Sequence, residues 1–298
     1  MPHDHPQKDR GLPNLGGSSD VELARLTILE RRKIEQIGGL FPERENDLED
    51  FEHVLDIMSG TGTWSLSVAQ RYPEIEVQGL ERRSQLADYA NMLAETRKLG
   101  NVSYTRLDNG PTRLDFADNS FDMVNVNDLF PILHPHEWPL FFQECLRVTR
   151  PGGYIRLLEQ EWGMTNSPAI EKLADLFLRS LKKAGLGLSP SGRYIGVLPR
   201  LSAFLKQAGW SNIQRRVIVD DYLTGAGAPT SPAQAVGLMA NSMRDLTLRQ
   251  HLATPAEYEV LLAQAISELE QEDFCSLLLL MAFWARKPES QTSFAQTA

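Results

Sequence analysis

The sequence predicts an α/β fold: a doubly wound, mainly parallel sheet of seven strands with helical cap insertions. Three observations predict it. From residue 52 short apolar runs alternate with helical stretches, a glycine turn joins the first run to a helix, and a further apolar run lies near the end of the chain. Such alternation is typical of parallel sheets with helical crossovers. The 298 residues, 42% of them hydrophobic, suit one large domain with a cap.

The first five strands are predicted from these apolar runs, at 53–58, 75–80, 102–107, 121–126 and 154–159. Helices between them are predicted at 64–72, 84–99 and 137–148. Gly100 and Pro151-Gly152-Gly153 are expected to end the second and third of these helices, because such residues interrupt helices. Five strands with helical crossovers give a doubly wound sheet.

Outside this central part, an N-terminal helix is predicted over Ser19–Ile37 from the capping-box spacing of Ser19 and Glu22 and from a helical apolar stripe. The domain boundaries that we expect are a disordered arm at 1–17, a helical lid at 18–50, a cofactor-binding core at 51–161, the second half of the sheet with its cap insertions at 162–288, and a disordered tail at 289–298.

The second half of the chain contains further helix starts in which proline follows Ser or Thr. They are Ser167-Pro168, Ser231-Pro232 and Thr254-Pro255, and they open three predicted helices. A helix is also expected at 198–208 and a strand at 213–219. The run Ser276–Ala285 is almost unbroken in its apolar character, which indicates a strand buried on both faces. We predict that this last strand is antiparallel to its neighbours.

The charge and hydrophobicity of the sequence limit the kinds of partner that the protein is expected to bind. The net charge of −9 opposes binding to a phosphate backbone, so we expect no nucleic-acid partner. No apolar run is long enough to cross a bilayer and the polar start of the chain is unlike a signal peptide, so no membrane partner is expected. Cys145 and Cys275 are interpreted as buried, reduced thiols of a cytoplasmic protein. His3 and His5 are interpreted as a solvated tail, so no metal is predicted, and a homodimer is left open.

A turn after the first predicted strand carries the strongest chemical signal. It runs from Asp56 through Met58, Ser59, Gly60 and Thr61 to Gly62 and leads into a helix. Little side-chain bulk there lets backbone N–H groups at the helix start approach a cofactor closely. An ordinary strand-to-helix turn would use glycine in the same way, so this turn alone does not decide between the two interpretations.

Polar residues at the ends of the next strands strengthen the cofactor hypothesis. Glu81, followed by Arg82, lies about 20 residues beyond the glycine turn, the spacing expected for an acceptor of ribose hydroxyls. The third strand ends in Asp108 and Asn109, and the fourth in Asn125-Val126-Asn127-Asp128. For Asn109 and Asp128 a role as a helix cap or loop residue explains the sequence equally well.

Taken in order, these motifs resemble class I S-adenosylmethionine (SAM)-dependent methyltransferases, particularly bacterial small-molecule enzymes of the menaquinone-methyltransferase type. The resemblance covers residues 52–161 and extends to the segment 118–122 before the fourth strand and the turn 147–153 before the fifth. It implies SAM as cofactor, with Glu81 on the ribose and Asp108 near the adenine. The cofactor-binding residues expected are Asp56, Met58, Ser59, Gly60, Thr61, Gly62, Glu81, Arg82, Asp108, Asn109 and Asn127.

One departure from the family concerns Met58, which stands where the family has glycine. A side chain with a Cβ disfavours positive φ, so we predict that Met58 has negative φ.

Two other functions are weighed against methyl transfer. A nicotinamide-dependent oxidoreductase also uses a glycine turn followed by an acidic strand end, but its third glycine would stand at Ser65, and we find no Tyr-x-x-x-Lys relay motif. A protein that binds SAM without catalysis is the other alternative. Calorimetry with SAM and with NAD separates the three hypotheses.

The acceptor expected for a methyltransferase of this kind is a small, mainly apolar molecule with a nucleophilic oxygen, nitrogen or carbon, enclosed by the cap and by the 130–138 loop. Met164, Met239, Met243, Leu238, Tyr194 and Tyr258 are candidates for the lining, although they can equally pack the cap helices together. Catalytic residues are not identified by the sequence; His134 and Glu161 are the candidates. His136 is interpreted as the start of the next helix.

Overall fold

The computed structural model describes residues 20–45, 47–48, 50–108, 110–221 and 232–289. Within them the strands are β1 (His53–Ile57), β2 (Glu76–Glu81), β3 (Val102–Arg106), β4 (Phe121–Asn127), β5 (Thr149–Thr165), β6 (Ser211–Asp220) and β7 (Ser276–Arg286). The helices are α1 (Asp20–Ile37), α2 (Thr63–Arg71), α3 (Ser84–Thr96), α4 (Glu137–Val148), α5 (Pro168–Lys183), α6 (Leu198–Ala208), α7 (Pro232–Arg249) and α8 (Pro255–Glu268), with a short 3-10 helix at Pro42–Arg44.

The seven strands form one sheet in the order β3-β2-β1-β4-β5-β7-β6. β1 to β5 pair in parallel, whereas β7 is antiparallel to both β5 and β6. The predictions of a doubly wound seven-stranded sheet and of an antiparallel last strand are therefore confirmed. The apolar run Ser276–Ala285, which was predicted to be a strand, forms β7, and Leu280, Ala282 and Phe283 of this strand are buried.

The core lies on both faces of the sheet because side chains alternate along each strand. Leu55 and Ile57 of β1 belong to a cluster that packs α4 and α6 against the sheet. Val54, on the opposite face, packs with α2 and α3 in a second cluster. Burial on both faces explains why these strands read as continuous apolar runs in the sequence.

Two elements, β5 and α3, differ from their predicted bounds by more than two residues. Strand β5 is longer than 154–159 because its pairing with β7 continues from Tyr154 to Thr165, with a register shift between Glu161 and Met164. Helix α3 stops before Gly100 because Lys98 already takes a left-handed conformation, at φ 57, and the Leu99 N–H closes the helix on the Ala94 carbonyl at 3.0 Å. Helix α4 has the predicted bounds.

The helical cap consists of α5, α7 and α8, which pack together in a cluster of their own. Two of the predicted caps are present. The side chain of Ser167 accepts from the Ile170 N–H at the start of α5, and Thr254 and Glu257 form a capping box at the start of α8. The proposed starts at Ser19 and Ser231 lie outside the described residues, as do the arm at 1–17 and most of the tail at 289–298.

The cysteines agree only in part with the expectation of buried thiols. Cys145 is buried and Cys275 is exposed, and both are free. Cys275 precedes β7 at its outer end, where the connection from α8 meets solvent. Among the described residues no helix has the length and apolar character needed to cross a membrane.

Candidate active site

A cavity of about 1150 Å³ lies at the carboxyl ends of the central strands, where ligands bind in sheets of this kind. The sheet and the glycine turn form its floor, and α1, α5 and α7 close it. Its volume exceeds the roughly 300–1,000 Å³ of an ordinary ligand pocket, so a cofactor and an acceptor fit together. The predicted residues in its wall are Met58, Ser59, Gly60, Glu81, Arg82, Asn127 and Glu161.

The glycine turn contains three left-handed residues: Met58 at φ 58, Gly60 at φ 61 and Gly62 at φ 77. The predicted negative φ of Met58 is wrong. The chain turns directly after β1, where the Gly62 N–H donates to the Ser59 carbonyl at 2.9 Å while the Ser59 N–H still donates to the Leu80 carbonyl of β2 at 3.1 Å, and Met58 takes the left-handed conformation where this turn begins. Met58 therefore adopts the φ expected of glycine, and its side chain packs partly buried against the core.

Glu81 ends β2 beneath this turn and is 1% exposed. Its carboxylate accepts from the Gly60 N–H at 2.9 Å and from the Arg83 N–H at 3.0 Å. A carboxylate offers about four lone-pair sites, so acceptor capacity remains toward the cavity. Ser59 adds a buried hydroxyl in the same wall that has no partner among the described residues. These unfilled polar groups fit a ligand that carries hydroxyl and amino groups.

Asp56 does not form part of the cavity wall and is instead fully buried behind it. Its carboxylate accepts from the Asn125 amide at 2.8 Å, and the Asn125 oxygen accepts from Arg156 at 2.9 Å. Arg156 also pairs with Glu43 at 3.2 Å. Burial raises the pKa of Asp56 to about 7. The arrangement links β1, β4 and β5 below the turn, so Asp56 supports the site from within the sheet.

The end of β4 carries a second group of charges. Asn127 and Asp128 both line the cavity, and Lys33 of α1 forms an ion pair with Asp128. Behind them Glu159 of β5 is fully buried and accepts from the Leu129 N–H at 2.7 Å. Burial raises the pKa of Glu159 to about 8. Glu159 thus fixes the loop after β4, and Lys33 connects α1 to that loop.

Besides Asp56, three of the predicted cofactor residues, Thr61, Gly62 and Asp108, do not line the cavity. Asp108 is exposed and forms an ion pair with Arg106 at 3.1 Å, so the structure does not bring it to the cavity. Asn109 lies outside the described residues. Thr61 is buried beneath the turn and hydrogen-bonds to Glu30 of α1, and Gly62 begins α2 as its N-cap residue.

The two candidate catalytic residues have structural partners. His134 is not in the cavity wall: its Nδ1 lies 3.2 Å from the Gly185 carbonyl, and its ring stacks on His136. Glu161 does line the cavity, but its carboxylate accepts from the Ile195 N–H at 2.6 Å and from the Gly196 N–H at 3.0 Å. Both oxygens of Glu161 therefore hold the segment before α6.

The cap contributes part of the predicted lining. Met164, Met239 and Met243 line the cavity, and the 130–138 loop adds only its first three residues, Phe130 to Ile132. Tyr258 is instead buried between α7 and α8, where its hydroxyl donates to the Ala240 carbonyl at 2.8 Å. Tyr194 is 43% exposed, and the side chain of Leu238 is outside the described set.

Sequence reasoning missed Glu30, Lys33 and Arg156, all of which line the cavity. Glu30, Lys33, Ile34 and Ile37 are spaced so that they share one face of a helix. This spacing could have indicated that the face of α1 toward the site carries charged as well as apolar side chains. Arg156 gave no signal, since it stands inside an apolar strand pattern.

Comparison with known proteins agrees with this geometry. Residues 54–153 match the family model described as a methyltransferase domain. An uncharacterized methyltransferase of Schizosaccharomyces pombe is 31% identical over 147 residues, which are 47% of this chain and 51% of that protein. A demethylmenaquinone methyltransferase of Listeria monocytogenes is 25% identical over 54% of this chain and 71% of its own length. The chain thus spans about half the length of the first of these relatives.

Solved structures agree in fold. A Haemonchus contortus phosphoethanolamine N-methyltransferase, in complex with phosphomonomethylethanolamine and S-adenosylhomocysteine, superposes with a TM-score of 0.53 at 17% identity, covering 86% of this chain and 52% of that one. A SAM-dependent methyltransferase from Methanosarcina mazei has a TM-score of 0.51 at 19% identity, covering 83% of this chain and 98% of its own.

A parallel sheet with an antiparallel β7, a glycine turn after β1 and an acidic end of β2 define the Rossmann-like methyltransferase fold. Together with the family model that matches residues 54–153, they show that this part of the chain is a methyltransferase domain with the fold of SAM-dependent methyltransferases.

Proposed function

We propose that the protein transfers the methyl group of SAM to a small, mainly apolar molecule that binds in the same cavity. The observation that carries this proposal is the continuity of that cavity from the glycine turn to the methionine residues of the cap, Met164, Met239 and Met243. An acceptor enclosed between them meets the cofactor away from bulk water. The Listeria relative is named for demethylmenaquinone, and the Haemonchus structure contains phosphomonomethylethanolamine.

The character of the wall supports an acceptor with an apolar body. Phe177, Leu248 and the cap methionines provide apolar surface. Several charged groups in the wall are already paired, such as Arg32 with Asp220 at 2.9 Å and Lys33 with Asp128. Charges neutralised within the protein do not call for a charged ligand opposite them. A cytoplasmic location is part of the same proposal, because Cys145 and Cys275 are free thiols.

The mechanism proposed for these residues is positioning. SAM, when bound, supplies a methyl group on a positively charged sulfur, and its transfer to a nucleophile is an in-line displacement that alignment alone accelerates strongly. Glu81 would accept from the ribose hydroxyls, and the glycine turn would leave room for the backbone to approach the ligand. Helices α1, α5 and α7 would exclude water. Asp128, held by Lys33 in the wall, is the carboxylate nearest the end of β4 and the candidate to accept a proton there.

Calorimetry with SAM, S-adenosylhomocysteine and NAD tests the proposal, together with detection of S-adenosylhomocysteine formed from SAM in the presence of candidate acceptors. Glu81→Ala should weaken binding of S-adenosylhomocysteine by about 1–3 kcal/mol, the cost of losing hydrogen bonds to a charged group. The matched control is Glu76→Ala, at the exposed start of the same strand, which should leave binding unchanged.

Each alternative has its own result. Tight binding of NAD in place of SAM would favour the oxidoreductase hypothesis. Binding of SAM without turnover of any small acceptor would favour a non-catalytic role. Unchanged affinity in Glu81→Ala would remove that residue from the cofactor site.

A further inference from the structure

A carboxylate from α1 lies directly on the glycine turn. Glu30 accepts from the Thr61 N–H at 3.0 Å through Oε1, and through Oε2 from the Thr61 hydroxyl at 2.6 Å and from the Thr63 N–H at 3.4 Å. The contact joins residues 31 positions apart, and both partners adjoin the cavity wall at Gly60. Helix α1 is therefore attached to the part of the turn that borders the cavity.

The carboxylate of Glu30 has capacity left, on the side of Gly60. Its three hydrogen bonds use three of about four lone-pair sites, and the remaining one is on Oε1. Oε1 lies so close to Gly60 that a Cβ added there would come within 2.2 Å of it. Only glycine lets this oxygen reach the surface on which a ligand would rest.

Among the described residues no Lys or Arg forms an ion pair with Glu30. Lys33, one turn further along α1, pairs with Asp128 and interacts with the charge of Glu30 only over a longer distance. Burial raises the pKa of Glu30 against the opposing effect of the hydrogen bonds from Thr61 and Thr63. A partly buried carboxylate in such a position is stabilised in its charged form by a cation that arrives with the ligand.

SAM brings such a cation in its α-ammonium group. Glu81 and Glu30 accept from the consecutive N–H groups of Gly60 and Thr61, so the two carboxylates contact adjacent peptide groups of the same turn. In the cofactor the sulfur joins the ribose, which carries the hydroxyls, to the amino acid. We propose that Glu30 accepts a hydrogen bond from the α-ammonium group of the cofactor while Glu81 holds the ribose, which makes α1 part of the cofactor site and not only a lid over the acceptor.

The proposal rests on SAM as the cofactor and is tested by two ligands that differ only in the amino-acid end. S-adenosylhomocysteine has the ammonium group, whereas 5′-methylthioadenosine lacks the whole amino acid. In Glu30→Gln, which keeps the size of the side chain, the dissociation constant of S-adenosylhomocysteine should rise about 10- to 100-fold, as expected for loss of a charged hydrogen bond. That of 5′-methylthioadenosine should stay within about twofold of wild type.

Glu35→Gln is the matched control, because Glu35 is an exposed carboxylate on the same helix, outside the cavity wall. It should bind both ligands like wild type. Unchanged 5′-methylthioadenosine binding in Glu30→Gln also reports that the variant is folded.

Three results would overturn the proposal. An equal loss for both ligands would mean that Glu30 only maintains the turn. No loss for either would remove it from the site. Tighter binding of S-adenosylhomocysteine would mean that Glu30 occupies the position of the ligand's carboxylate and must leave before binding. A wild-type protein that binds neither nucleoside would refute the proposed function itself, whereas one that binds both but methylates nothing would refute only the transfer step.

Discussion

Met58 carries a conformational cost that glycine would not. A non-glycine residue in the left-handed region costs roughly 1–2 kcal/mol, and Met58 has φ 58. Comparing Met58→Gly with Met58→Ala isolates this cost, because both remove the same apolar atoms beyond Cβ. We expect the glycine variant to be more stable than the alanine variant by about 1 kcal/mol in chemical denaturation, the reverse of the order in a helix. Equal or opposite stabilities would mean that the turn relaxes to negative φ.

Gly60 is constrained by space as well as by φ. In Gly60→Ala the new Cβ would meet Oε1 of Glu30 at 2.2 Å, at φ +61. Either Glu30 leaves Thr61 or the turn shifts, so we expect S-adenosylhomocysteine affinity to fall at least about tenfold and the unfolding free energy to fall by about 1 kcal/mol or more. Gly100→Ala is the control, since nothing lies within 4 Å of its Cβ position. Wild-type affinity in Gly60→Ala would show that Glu30 moves without consequence.

Residues of the site were predictable from the sequence where their signal is local. Glu81 was found because it follows a strand at a fixed distance from the turn, and the structure has it bonded to the Gly60 N–H at 2.9 Å. Glu30 was not found because its partner lies 31 residues away. The φ of Met58 was predicted wrongly because an intrinsic preference was overruled by the pairing of the turn with β2.

At the scale of elements, Glu161 joins β5 to the segment that leads into α6. Glu161→Ala would leave the N–H groups of Ile195 and Gly196 without their acceptor, so the unfolding free energy should fall by about 1–3 kcal/mol in urea denaturation. Glu161→Gln, which keeps one acceptor oxygen, should lose less. Full stability with lost methyl transfer in the alanine variant would instead restore Glu161 as a catalytic base.

Helices whose ends are marked by capping residues, proline or glycine in the sequence were predicted well. Helix α4 and helix α6 have the expected bounds, and Thr254 with Glu257 forms the expected capping box. The C-terminal extension of β5 beyond Glu159 was missed because those residues are held by β7, more than 100 positions later in the chain, and not by a pattern of their own. The surroundings of His134 had no local signal either, because its Nδ1 lies 3.2 Å from the carbonyl of Gly185, 51 positions later.

For the whole molecule, two buried carboxyl groups make stability depend on pH. The pKa of Asp56 rises from 3.8 to about 7 and that of Glu159 from 4.5 to about 8, so the folded protein holds protons that the unfolded chain has released. Their contribution to stability is complete below about pH 4 and is lost as pH rises toward 8. In Glu159→Gln, which keeps an acceptor for Leu129, the fall in unfolding free energy between pH 5 and 8 should shrink by about 1 kcal/mol or more. An unchanged slope would contradict the assignment.

The overall architecture was predictable because many local patterns agree on it, but the assembly of one cavity from α1, the sheet and the cap was not. Each of these parts is amphipathic. An amphipathic pattern predicts which face of an element is buried, but it does not predict which other element packs against that face. Lys33 illustrates the difference, since an ordinary surface charge of a helix becomes a contact with Asp128 only when α1 is laid across the end of β4.

The position of β7 also bears on how the chain acquires this structure during translation. Strand β7 lies between β5 and β6, yet it follows both in sequence. A nascent chain that has left the ribosome up to α8 can pair β1 to β5, because those strands need only one another. Strand β6 pairs with β7, so it can take its place in the sheet only after residues 276–286 have left the ribosome and paired between β5 and β6. The half of the sheet formed by β1 to β5 can therefore pair first, and the half that carries Asp220 opposite α1 is added only after residues 276–286 have been synthesised.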